Sequence, residues 1–108
     1  MSTEPQITVQ QLDEKIKAGE TLVLIDVRET FELENGALEG IHHIPMADVP
    51  ENLGEFDKDA ETIIICRTGN RSGNVTLFMQ AQGFTQVFNL AGGMNEWARE
   101  IGGSVKEY

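Results

Sequence analysis

Two rhythms alternate along the chain: short runs of apolar, mostly β-branched residues, and longer stretches with apolar positions three or four apart. Thr8 opens a capping box with Gln11, and Val9, Leu12 and Ile16 follow at helical spacing up to a stop at Gly19. Leu22-Val23-Leu24-Ile25 is a continuous apolar run, the mark of a strand buried on both faces. A second helical stretch runs from Glu29 to Glu34 and ends near Asn35-Gly36, and Ile41 to Ile44 reads as a short strand closed by Pro45. Asp48 to Asp59 is a polar connection with room for one helical turn. Thr62-Ile63-Ile64-Ile65 is β-branched throughout and is the strongest strand signal in the chain. Cys66 to Arg71 interrupts the pattern with a glycine. Ser72 onward, with Val75, Leu77, Phe78, Met79 and Ala81 before Gly83, reads as a helix. Val87-Phe88 reads as a strand, and Met94, Trp97, Ala98 and Ile101 lie on a last helix before Gly102-Gly103.

Strands alternating with helices over short connections predict an α/β fold. The expectation is a single three-layer domain over residues 1–108, with a mostly parallel sheet of about five strands and helices on both faces. Right-handed crossovers place every strand-to-helix loop at one edge of such a sheet, beyond the carboxyl ends of the strands, where ligands bind. Cys66 falls at that edge.

At 108 residues the chain is long enough to bury one core without a disulfide or structural metal, and its single cysteine excludes an internal disulfide. Free thiols suit a reducing compartment, so the expected location is cytoplasmic. No segment has the apolar length of a membrane span, and the opening MSTEPQ has neither the basic start nor the apolar stretch of a secretory signal. The formal net charge of −10 argues against nucleic acid as a partner. The charges are unevenly spread: from Thr62 to Asn95 there is no Asp or Glu, while Arg67 and Arg71 lie inside that stretch. This reads either as a buried strand and helix with few charges or as a locally positive site for a small anion on an acidic body.

A lone cysteine is usually an inert apolar residue, but the surroundings of Cys66 differ from that norm. The segment Arg67-Thr68-Gly69-Asn70-Arg71-Ser72 leads from the end of the best strand straight into a helix. Thr68, Gly69 and Asn70 permit a tight turn whose N–H groups point inward as an anion-binding nest. The helix aims its amino end at the same spot, and Arg71 and Arg67 bring full positive charge. Each effect favours the thiolate, the nucleophilic form. Four residues separate Cys66 from Arg71, whereas cysteine phosphatases place five there to surround a phosphoryl group. The smaller ring fits a single sulfur atom better.

The segment Cys66-Arg67-Thr68-Gly69-Asn70-Arg71-Ser72 resembles the active-site loop of the rhodanese family. Asp26-Val27-Arg28 is similar to the family's Asp-x-Arg element, Gly40 through Ile44-Pro45 resembles its Gly-Ala-x-x-Ile-Pro segment, and Leu90-Ala91-Gly92-Gly93 with Trp97 resembles its late Leu-x-Gly-Gly and tryptophan signature. Two departures stand out. Gly36-Ala37 replaces a common Gly-His, and Ile41 replaces the usual alanine.

The resemblance implies a rhodanese-like fold and a two-step exchange through a Cys66 persulfide. A small anionic donor such as thiosulfate would supply the sulfur, and cyanide, a small thiol or a protein would accept it. No metal or organic cofactor is implied. Arg67 to Ser72 would bind the donor, with Arg67 and Arg71 on its sulfonate. Asp26 and Arg28, alternatively an ordinary surface pair, are expected to support the loop by hydrogen bonds. His42 and His43 are adjacent and so face opposite sides of a strand, without the spacing of a metal site. Trp97 reads as core, and the charge-free run from Ser72 to Gln82 as a buried helix or, in the minority reading, a partner surface. Two other function classes remain in view: a cysteine phosphatase or arsenate reductase on a similar scaffold, and a noncatalytic rhodanese-like relay or binding module.

Overall fold

The computed structural model describes residues 4–108. Five strands form one parallel sheet: β1 (Gln6–Ile7), β2 (Val23–Asp26), β3 (His42–His43), β4 (Thr62–Ile65) and β5 (Val87–Leu90), in the spatial order β1-β5-β4-β2-β3. Four α-helices accompany them: α1 (Val9–Lys17), α2 (Val49–Asn52), α3 (Asn70–Ala81) and α4 (Gly93–Glu100). The central strand is the β-branched run read from sequence. All four residues of β4 are buried, and they pair with β2 on one side (Leu24 with Ile63, Asp26 with Ile65) and with β5 on the other (Ile63 with Phe88).

Strand alternation divides the core into two layers. Ile63 and Ile65 point toward α1 and α4, where they join Ile7, Val9, Leu12, Leu24, Leu90, Met94 and Trp97. Trp97 is therefore core, as its position in the last helix indicated. Ile64 points the other way, into a cluster with Ile25, Val27, Val75, Met79, Phe84 and Val87 beneath α3. Cys66 continues that alternation. It lies on the α3 side, one residue past the end of β4, which puts its sulfur under the amino end of α3.

The local elements follow the sequence pattern, with a few differences. The Thr8 capping box of α1 is formed in both directions, and the helix ends in a cap at Ala18 beside Gly19. β1 was not legible in the sequence, because two residues carry no period; pairing with β5 creates it, Gln6 opposite Asn89 and Ile7 opposite Leu90. The stretch after Arg28 is a 3₁₀ helix, Thr30–Asn35, not an α-helix. The polar connection holds the expected helical turn as α2, flanked by 3₁₀ turns at Met46–Asp48 and Leu53–Glu55. Finally, α3 begins at Asn70, two residues before the expected Ser72, so Arg71 and Ser72 belong to its first turn.

In β3, His42 and His43 face opposite sides as expected. His42 packs edge-on against Phe56 (centroids 5.2 Å apart), and His43 Nε2 donates to the Arg28 carbonyl at 2.8 Å. Among the described residues, no helix is long and apolar enough to cross a membrane, and no cluster of three His, Cys, Asp or Glu could hold a metal ion.

Candidate active site

Three donors converge on Cys66 Sγ: the amide of Gly69 at 3.1 Å, the amide of Ser72 at 3.4 Å and the hydroxyl of Ser72 at 3.1 Å. The amide of Ser72 is one of the first-turn N–H groups that α3 cannot satisfy internally, so the positive end of the helix is aimed at the sulfur. Gly69 makes the turn possible. Its φ of +100° lies in the left-handed region that side chains avoid. Cys66 is only 1% exposed, with apolar neighbours on one side and these donors on the other. Thr68 and Asn70 lie exposed on the rim, and Arg67 is exposed beside them.

The carbonyls of the loop are held from behind. Met94 N donates to the Cys66 carbonyl at 2.9 Å, and Asn95 N to the Arg67 carbonyl at 3.0 Å. The first amides of α4 thus turn these two carbonyls away from the sulfur, which leaves the opposite side of the loop to N–H groups. Gly93 permits this approach: a Cβ there would stand 2.5 Å from both carbonyl oxygens. The Gly92-Gly93 pair, noted in the sequence without a role, lets one helix support the loop that feeds another.

Ser72 is itself oriented. Its hydroxyl lies 2.5 Å from Asn89 Oδ1, and Asn89 Nδ2 donates to the Gly69 carbonyl at 3.0 Å. Asn89 comes from β5, on the same face of the sheet as Val87. Nothing in the sequence marked it, since a polar residue in a short strand has no periodic signature.

Arg71 projects from the first turn of α3 into a bidentate pair with Glu32, Nη1 to Oε1 at 2.7 Å and Nη2 to Oε2 at 2.9 Å. Glu32 sits on the 3₁₀ helix, and its side chain is 7% exposed. The Arg71 guanidinium holds the Glu32 carboxyl down to about 2 against the opposing effect of burial, with help from the Glu29 amide and the Tyr108 hydroxyl.

Asp26 and Arg28 form a fully buried pair, so the surface-pair reading is corrected: both are 0% exposed. Arg28 Nε donates to Asp26 Oδ1 at 2.9 Å and Nη2 to Oδ2 at 2.8 Å. The other guanidinium bonds of Arg28 go to the Glu32 and Gly36 carbonyls and to the Tyr108 hydroxyl, not to residues 66–72. The contacts from this pair toward the loop are therefore indirect, running from Arg28 to Glu32 and from Glu32 to Arg71.

The chain resembles known proteins in sequence and in fold. A rhodanese-like domain profile fits residues 8–100. The chain belongs to the rhodanese-like domain family. Relatives of similar length agree with this rhodanese assignment. The chain is 46% identical over 95 residues to the Bacillus subtilis protein YtwF, covering 88% of this chain and 91% of that one. It is 32% identical over 94 residues to a protein of Allochromatium vinosum named a sulfurtransferase, covering 87% and 88%. A rhodanese-like domain protein from Staphylococcus aureus superposes with a TM-score of 0.81 at 32% identity, covering 86% of this chain and 90% of that one.

Proposed function

We propose that the protein is a sulfurtransferase that carries sulfane sulfur on Cys66 as a persulfide, taking it from thiosulfate or a similar small anionic donor. The observation that carries this reading is the set of donors on Cys66 Sγ, two loop amides and one hydroxyl at the amino end of α3. Such donors stabilise a negative sulfur without reorganising as the reaction proceeds. In the first step the Cys66 thiolate attacks the outer sulfur of thiosulfate. The sulfur–sulfur bond of the donor breaks, its electron pair leaves with sulfite, and Cys66 holds a persulfide anion. In the second step cyanide or a thiolate attacks the outer sulfur, and Cys66 is released as the thiolate. Charge and atoms balance without a cofactor.

The outer sulfur would stand about 2 Å beyond Sγ, in the mouth bounded by Arg67, Thr68, Gly69, Asn70, Arg71 and Ser72. The four-residue interval between Cys66 and Arg71 favours that single atom over a phosphoryl group. A protein acceptor is the other route for the sulfur, and the exposed rim residues Thr68 and Asn70 would be the first that such a partner meets.

The test is direct. Incubation with thiosulfate is expected to add the mass of one sulfur atom, and cyanide then to release thiocyanate and restore the original mass. Cys66→Ser is expected to lose both signals. Hydrolysis of an aryl phosphate with no thiocyanate formed would overturn the reading in favour of a phosphatase.

A further inference from the structure

Arg28, Arg71 and Arg99 are each ion-paired, with Asp26, with Glu32, and with Glu96 and Glu107. Among the described residues Arg67 has no ion pair, and it is the arginine next to the nucleophile. Its guanidinium lies instead over the ring of Tyr108, 5.1 Å from the centroid, within the range of a cation–π contact.

Tyr108 is held at both ends. The Tyr108 amide donates to Asn95 Oδ1 at 2.9 Å, and Asn95 Nδ2 donates to the Tyr108 carbonyl at 3.0 Å. At the other end the phenol accepts from Arg28 Nη1 at 3.1 Å and donates to Glu32 Oε2 at 2.8 Å. Upstream, Val105 is buried in the core and Lys106 N donates to the Asn35 carbonyl. Tyr108 lies beyond the part of the chain that the family profile spans.

We infer that Tyr108 is a positioning and selectivity residue of this site, its ring forming a platform that keeps Arg67 over the loop as the unpaired cation for an anionic sulfur donor. This rests on the reading of Cys66 as the sulfur carrier. The physical reason is the division of charge. Glu32 already engages Arg71, so a sulfonate meets Arg71 only in competition with a carboxylate, whereas Arg67 offers a whole guanidinium. An exposed arginine without a partner samples many rotamers. The Tyr108 ring restricts that freedom without neutralising the charge, as a carboxylate would. The phenol hydroxyl serves to fix the ring and is not needed for the contact itself.

Alkylation tests the platform without requiring sulfur transfer. Cys66 is the sole cysteine, so one adduct mass reports one site. The readout is the ratio of the rates with iodoacetate, an anion, and iodoacetamide, its neutral analogue. Tyr108→Leu, which keeps apolar bulk but no aromatic face, is expected to lower that ratio about two- to fivefold, the size of an exposed cation–π contact. Tyr108→Phe is expected to retain most of the ratio, and Arg67→Gln to lower it at least as far as Tyr108→Leu. Tyr108→Leu should have no further effect in an Arg67→Gln background. KM for thiosulfate should follow the same order, with kcat changing less.

An unchanged ratio in Tyr108→Leu would overturn the inference, as would a Phe variant as impaired as the Leu variant. If the ratio behaves as expected but thiosulfate adds no sulfur to Cys66, the platform stands and the sulfur-carrier reading falls. If sulfur is transferred and the ratio does not move, the reverse holds.

Discussion

The hydroxyl of Ser72 has one proton and two acceptors within reach, Cys66 Sγ at 3.1 Å and Asn89 Oδ1 at 2.5 Å. It can serve only one at a time. In the proposed reaction, a growing negative charge on sulfur would draw the proton toward Sγ, making Ser72 an adjustable donor beside two backbone amides. Glu32 shows a different residue-scale effect. Its carboxyl is depressed from 4.5 to about 2 in the folded protein by Arg71. A depressed carboxylate stabilises the fold above its unfolded value, and that contribution is lost as pH falls from 4.5 toward about 2. Melting temperature measured from neutral pH into that window is therefore expected to fall less steeply for Glu32→Gln than for the native protein. Arg71→Ala leaves a nearly buried carboxylate without its counter-ion, held only by the Glu29 amide and the Tyr108 hydroxyl, and is expected to cost about 1–3 kcal/mol at neutral pH. Adding Glu32→Gln to it should recover part of the loss.

At the scale of elements, the site depends on two helix ends that meet at one loop. α3 supplies amides to the sulfur, and α4 supplies amides to the carbonyls of Cys66 and Arg67. The two ends can approach only where there is no side chain. Gly93→Ala places a methyl group 2.5 Å from backbone oxygens and imposes a left-handed φ of +60° on alanine. The oxygens are backbone and cannot simply rotate aside. The expected outcome is a clear loss of thermal stability together with slower alkylation of Cys66 by iodoacetamide. Loss of stability with unaltered Cys66 reactivity would show that the loop does not rely on α4. The 3₁₀ helix at Thr30–Asn35 is also an element-scale finding. Its apolar and polar spacing suits an α-helix equally well, but the carbonyls of Glu32 and Gly36 are drawn onto Arg28, and the Glu32 side chain caps the Glu29 amide. Those contacts are local, between Arg28 and Gly36, but they join side chains to backbone and leave no mark in the apolar and polar spacing.

For the whole molecule, the question is how a chain of net charge −10 would admit the proposed anionic donor. The stretch from Thr62 to Asn95 lacks acidic residues, but the fold returns Asp26 and Glu32 from the first third of the chain to the neighbourhood of Cys66. Arg28 and Arg71 are paired with them, so the surplus positive charge there is that of Arg67. Long-range repulsion and short-range attraction therefore oppose each other. The Debye length shrinks from about 30 Å at ~0.01 M salt to about 8 Å at ~0.15 M and about 3 Å at ~1 M. The repulsion of the acidic body is screened first. KM for thiosulfate measured across that range of sodium chloride is expected to pass through a minimum. A steady rise would mean that only the local charge acts, and a steady fall that the body alone decides.

The sequence alone determined the order of the main strands and helices, the parallel sheet, and the placement of Cys66 at the carboxyl end of the central strand before a glycine turn. These are local properties: period, β-branching, capping and backbone freedom are carried by neighbouring residues. The tertiary structure decided which groups surround the sulfur and how charge is shared there. Asn89 reaches Ser72 across 17 residues, Glu32 reaches Arg71 across 39, and Tyr108 reaches Arg28 across 80. Such pairings are set by how the sheet is wound, and no pattern in either partner's own segment announces them. β1 belongs with them, since two residues become a strand only when β5 lies alongside.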